Sequence, residues 1–211
     1  MRTADQTGAD GHRRSWPIFG PIVVISLTAQ GWWARGSGPR ADQLLQRFGL
    51  RWDDLGQPRQ WFRLLTSPYA QPDADLSVSL VALMVMLVSA ERRLGTRRTI
   101  ITFVTTDVLS TLAVFTAMRL AEYAGGPGAS IIHVRDGGAS SGTIGVVVAY
   151  ISALDQQLVR WVATVALGLT LLRGVLWFDE LADRQHLVAA LVGVGLVALH
   201  QHRLSQQNSA R

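Results

Sequence analysis

An all-α membrane protein, a bundle of six transmembrane helices, is the fold class this sequence predicts, and three observations predict it. Of 211 residues 48% are hydrophobic and only 17% are charged, with a mean hydropathy of +0.21, more apolar than a water-soluble domain of this size. The apolar residues are gathered into long uncharged windows, and a helix rising ~1.5 Å per residue needs about 17 to 25 residues to cross the hydrocarbon. The 20 basic residues are all arginine and cluster between the windows rather than along one face. That is the distribution of a topology signal, not of a nucleic-acid footprint, so the lipid bilayer is the expected partner and nucleic acid is not.

The first window lies between Arg14 and Arg35, with Trp16 at one end and Trp32 and Trp33 at the other as interfacial anchors. Pro17 and Pro21 open it and the bulky Gly31-Trp32-Trp33 end is a poor cleavage site, so it reads as a retained span and not as a signal peptide. The second runs from Leu76 to Ala90 and is short. The third, Thr99 to about Met118, contains Asp107, and the fourth runs from Gly137 to Leu154. The fifth, Trp161 to Phe178, carries Arg173, and the sixth runs from Gln185 to Gln201. Two links are long: Arg35 to Asp75, amphipathic and aromatic, and Arg119 to Asp136, which includes Gly125-Gly126-Pro127-Gly128.

The length allows one folded unit. The division is residues 1–14 as a cytoplasmic N-terminal segment, 15–201 as the six-span domain, and 202–211 as a polar, disordered cytoplasmic tail. Arg13, Arg14, Arg92, Arg93, Arg97, Arg98, Arg160 and Arg203 share one side if both termini do, which makes that side the inner face of a bacterial cell membrane. Six arginines in the Arg35 to Asp75 link oppose this orientation. The chain has no cysteine, hence no disulfide framework and no thiolate metal site, and it has no His/Asp cluster for a metal; no cofactor is expected.

Whatever the orientation, spans two, four and six begin on the same face. Ser140 stands four residues past Asp136 and His186 three past Asp183, so their depths differ by about one residue rise, ~1.5 Å. A serine becomes a nucleophile when an adjacent imidazole takes its proton, so a Ser-His dyad is the minimum apparatus for acyl transfer. The segment Asp136-Gly137-Gly138-Ala139-Ser140-Ser141-Gly142-Thr143-Ile144-Gly145 surrounds that serine with glycines that admit a substrate backbone.

At these residues the chain resembles the rhomboid family of intramembrane serine proteases, over most of its length. Trp61-Phe62-Arg63-Leu64-Leu65-Thr66-Ser67-Pro68-Tyr69 is similar to the family's W-R-L-x-T-x-x-F approach with one residue inserted. Glu91-Arg92-Arg93-Leu94-Gly95 matches its E-x-x-x-G turn. Gly138-Ala139-Ser140 with Gly145 resembles G-A-S-G-x-x-x-G, Ser141 replacing a glycine, and His186 with Ala189 and Gly193 resembles H-x-x-G-x-x-x-G, Ala replacing the first glycine. The resemblance implies a six-helix rhomboid core whose first loop, the Arg35 to Asp75 link, lies in the outer interface. It implies Ser140 as nucleophile, Ser141 as the runner-up because it directly precedes a glycine, and His186 as general base. The substrate it implies is a peptide bond in a transmembrane segment of another membrane protein. Where the family carries H-L-x-x-N, supplying oxyanion donors, this chain reads Asp75-Leu76-Ser77-Val78-Ser79. Ser79 is then the side-chain donor that remains, and a carboxylate at Asp75 repels the developing oxyanion.

Other readings stand beside this one. A catalytically inactive rhomboid-like protein that binds transmembrane clients is favoured by Asp75 and Ser79. Ser141 with Gly145, and Ala189 with Gly193, also fit plain small-residue helix packing. A transporter would use Asp107 and Arg173, although an Asp107 facing the bundle interior and a snorkelling Arg173 explain both charges without transport. Gly138-x-Ser140-x-Gly142 matches the nucleophile elbow of soluble hydrolases, but that fold needs strands alternating with amphipathic helices, which these windows do not provide.

Overall fold

A computed structural model of the chain describes residues 16–35, 37–70, 78–125, 135–176 and 181–209, with the side chains of 78, 79 and 173–176 outside the description. Asp75, Ser77 and His133, and the side chains of Ser79 and Arg173, therefore lie outside the described residues. Among the described residues the protein is helical, with no strand and a single isolated antiparallel bridge, Leu50 to Asp136.

Each apolar window is a helix: α1 (Phe19–Ala34), α5 (Val78–Leu94), α6 (Thr96–Tyr123), α7 (Ser140–Ser152), α8 (Gln157–Leu176) and α9 (Leu181–Ser209). Two of them, α6 and α9, are long and apolar enough to cross a membrane by length and composition. The long first link folds into α2 (Gly38–Phe48), α3 (Trp52–Leu55) and α4 (Arg63–Thr66), with 3-10 turns at Pro58–Gln60 and Ser67–Tyr69. The expected disorder of the tail is corrected: α9 continues to Ser209 with every residue from Gln201 exposed. No Gly or Pro interrupts that stretch, its Leu, Gln and Arg propagate a helix well, and Gln206 bonds His202 one turn back.

The start of α1 has no cap of its own. The carboxylate of Glu91, near the end of α5, accepts the backbone N–H groups of Ile18 (3.1 Å), Phe19 (3.0 Å) and Gly20 (2.6 Å). A carboxylate at a helix N-terminus satisfies orphan donors and complements the dipole, so Glu91 fixes where α1 begins. The helices touch closely there, since a Cβ on Gly20 would lie 3.0 Å from that of Leu87. One residue, Gly95 at φ +82°, joins α5 to α6, a left-handed conformation that glycine adopts without strain.

The first link is organised by Arg63. Its guanidinium donates to the carbonyls of Gly49 (3.1 Å) and Gln46 (2.9 Å) and to Asp54 Oδ2 (2.9 Å). Leu50, fully buried, exchanges backbone bonds with Asp136 in both directions, at 3.0 and 2.7 Å. The link is thereby stitched to the residues that lead into α7.

Several polar side chains are buried while many aliphatic ones are exposed. Thr99, Thr102, Thr106, Asp107, Ser110, Thr111, Ser141 and Gln185 are buried, whereas Ile25, Val81, Val162, Leu169 and Leu191 are 62–67% exposed. The interior is otherwise apolar, with Phe19, Val23, Leu27, Leu87, Phe103 and Phe115 among its buried side chains.

Candidate active site

The residues before α7 are held at three points. Asp136 is bridged to Leu50, the Gly138 N–H donates to the Ser67 carbonyl (2.9 Å), and Gly137 sits so close to the Ala70 carbonyl that a Cβ would collide with it. Gly138 has φ +122°. The glycines at 137 and 138 are thus required by close approach and by backbone conformation, respectively.

Asp136, half-buried, is the hub of a polar group whose other members, Thr111 and Gln185, are buried. Its Oδ2 accepts from Gln185 Nε2 of α9 (2.8 Å) and from Thr111 Oγ1 of α6 (3.3 Å). Burial pushes the Asp136 carboxyl above the usual carboxylate range; the bonds from Gln185 and Thr111 pull the other way and are outweighed. Asp107, 4% exposed, faces the interior as expected, close to the backbone of Gly142. Tyr69 stands beside the group, its ring 6.4 Å from that of Phe103; burial first and the charge of Asp107 second raise its phenol above the ordinary value.

Helices α7 and α9 meet through glycine. A Cβ built on Gly193 would lie 3.2 Å from Gly145 Cα, and one built on Gly145 would fall onto the side chain of Thr106 on α6. Since Asp136 meets Gln185 and Gly145 meets Gly193 further along, α7 and α9 run parallel. His186 precedes Gly193 by seven residues and Ser140 precedes Gly145 by five, so measured from this contact they differ in depth by ~3 Å, and Ser141 differs from His186 by ~4.5 Å.

Facing differs more than depth. At ~100° per residue, Ser141 lies about 40° from the direction of Gly145 and Ser140 about 140° from it, while His186 lies about 20° from that of Gly193. Accordingly Ser141 is buried at 2% exposure and Ser140, the first residue of α7, is exposed. His186 is half-buried, and its Nε2 is buried with no hydrogen-bond partner among the described residues. Neither serine hydroxyl is hydrogen-bonded to it. His200 and His202 lie toward the far end of α9, away from this seam.

The polar group Asp136, Thr111 and Gln185 was not foreseen as a unit. Asp136 marked only a window edge, and its partners come from helices 25 and 49 residues away in sequence. Among the described residues no group of three or more His, Cys, Asp or Glu is placed to hold a metal ion. No family model matches this chain, and no curated protein or solved structure matches it either.

Proposed function

We propose that the chain is a rhomboid-type intramembrane serine endopeptidase, a six-span bundle of α1 and α5 to α9 with both termini on the cytoplasmic side of a bacterial cell membrane. Its substrates are transmembrane segments of other membrane proteins. The observation that carries the reading is the unpartnered, buried Nε2 of His186 on the same seam as Ser141, at the end of α7 where polar residues and glycines converge. The two helices long and apolar enough to cross a membrane, with the many large aliphatic side chains exposed at the surface, support the bilayer as its solvent.

On this reading the nucleophile is Ser141. Its hydroxyl attacks the scissile carbonyl while His186 Nε2 takes the proton, and the imidazolium returns it to the departing amine; water then cleaves the acyl-enzyme by the same relay. The backbone N–H groups of Ser140 and Ser141, in the first turn of α7, have no acceptor among the described residues and are the donors offered to the oxyanion. Ser140, exposed and turned away from the seam, remains a substrate-side residue.

In purified protein reconstituted with a generic transmembrane substrate, Ser141→Ala or His186→Ala removes cleavage by at least about a thousandfold, while Ser140→Ala keeps most of it. Equal cleavage by wild type and Ser141→Ala sinks the nucleophile assignment; loss in Ser140→Ala alone returns the role to Ser140.

A second reading, a client-binding protein without catalysis, is favoured by one observation: Asp75 and Ser79 stand where the family carries the side-chain donors of its oxyanion hole. Labelling by a serine-reactive fluorophosphonate separates the two, because only an activated serine reacts.

A further inference from the structure

At the opposite end from the candidate active site, the single-residue turn at Gly95 sets the first turn of α6 beside the C-terminal part of α9. Between them lies a cleft of about 760 Å³. Arg97 and Arg98 line it from α6 and Arg203 from α9, while Ile101, Leu196 and Leu199 form its apolar wall.

The charges in this cleft are unbalanced. Among the described residues none of the three arginines is paired with an acid: Glu91 is engaged by the start of α1, and Asp155 by Arg93. The first turn of α6 contains no acidic residue and has no side-chain cap. Two cations therefore stand at the positive end of a helix dipole, an arrangement that repels itself unless an anion is present. The apolar wall begins one turn below the guanidinium groups, since Ile101 follows Arg97 by four residues. Planar guanidinium forks match phosphate oxygens, and an apolar wall beneath them suits an acyl chain better than water.

We infer that this cleft binds the phosphodiester headgroup of an anionic phospholipid, held by Arg97, Arg98 and Arg203 with its acyl chains along Ile101, Leu196 and Leu199. The inference rests on the membrane reading above but not on catalysis. It also assigns this end of the bundle to the cytoplasmic leaflet, where anionic lipids and basic helix ends meet.

The test titrates the purified full chain, in zwitterionic detergent, with phosphatidylglycerol, phosphatidylcholine or inorganic phosphate and counts bound molecules by native mass spectrometry. Phosphatidylglycerol is expected to bind at least about tenfold more tightly than phosphatidylcholine. Arg97→Gln/Arg98→Gln/Arg203→Gln is expected to weaken it by on the order of a hundredfold. Arg203→Glu, at an exposed position that does not endanger folding, should weaken it by about tenfold by itself. The control Arg92→Gln/Arg160→Gln, which removes two exposed arginines outside the cleft, keeps wild-type binding. Inorganic phosphate binding as tightly as phosphatidylglycerol overturns the lipid assignment, as does an Arg203→Glu variant that binds normally. Alkaline extraction separates the failures. A chain released from membranes overturns the membrane reading and this inference together, whereas an integral chain indifferent to phosphatidylglycerol overturns only the cleft.

Discussion

In α7 seven of 13 residues are buried, whereas in α8, which follows it in the chain, Trp161, Val162 and Leu169 are 61%, 62% and 62% exposed and no described side chain is buried. Both helices are apolar, and composition does not separate them. What separates them is side-chain size on the inner face. Gly142 and Gly145 let α7 sink between Phe103 and Thr106 of α6, and Gly193 lets α9 close from the other side. Gly168 of α8 has open space where a Cβ would stand. Close contact between helices needs small residues that face the neighbour; those of α7 meet α6 and α9, whereas Gly168 of α8 faces open space.

The sharpest way to break this contrast is to fill the α7 seam. Gly145→Val places its Cβ on the Thr106 side chain and presses on Gly193, so a loss of roughly 3 kcal/mol or more is expected, read as a fall in Tm in lipid nanodiscs. A stable Gly145→Val protein would mean that the three-helix contact is not what holds α7.

A smaller effect of opposite sign tests the polar group beneath the seam. A carboxyl whose folded pKa is raised gives stability that is full below its unfolded value, here 3.8, and is lost as pH rises through the folded pKa. Asp136→Asn keeps an acceptor for Gln185 and Thr111 without the buried charge. It is therefore expected to be more stable than wild type at about pH 7, with the difference vanishing at about pH 3. Thermal unfolding at several pH values measures this, and a variant less stable at neutral pH would show that the ionised form is needed.

The smallest effect belongs to α8. Val162→Ala and Leu169→Ala remove side chains that face outward, so each is expected to change stability by less than ~0.5 kcal/mol in nanodiscs. A loss of several kcal/mol would reveal a packing partner for this face.

The helices were legible because each rests on a local signal: an uncharged window, a flanking arginine, or Gly95 after Leu94. The burial of Asp107 was legible too, because a charge within an apolar window has to turn inward. The motif containing Glu91 was visible in sequence, but not its task. Capping α1 requires a residue 73 positions from Ile18, and nothing local announces that.

By itself, then, the sequence determined that the chain is helical, which segments are apolar, and that serine and histidine stand near the ends of two of them. Tertiary structure decided which of the two serines is buried. The resemblance, through Gly138-Ala139 before it and Gly145 after it, favoured Ser140, but a motif does not set the rotation of a helix. The rotation that buries Ser141 and exposes Ser140 is set by the contact of Gly145 with Gly193 and Thr106, residues that are remote in sequence and adjacent only after folding.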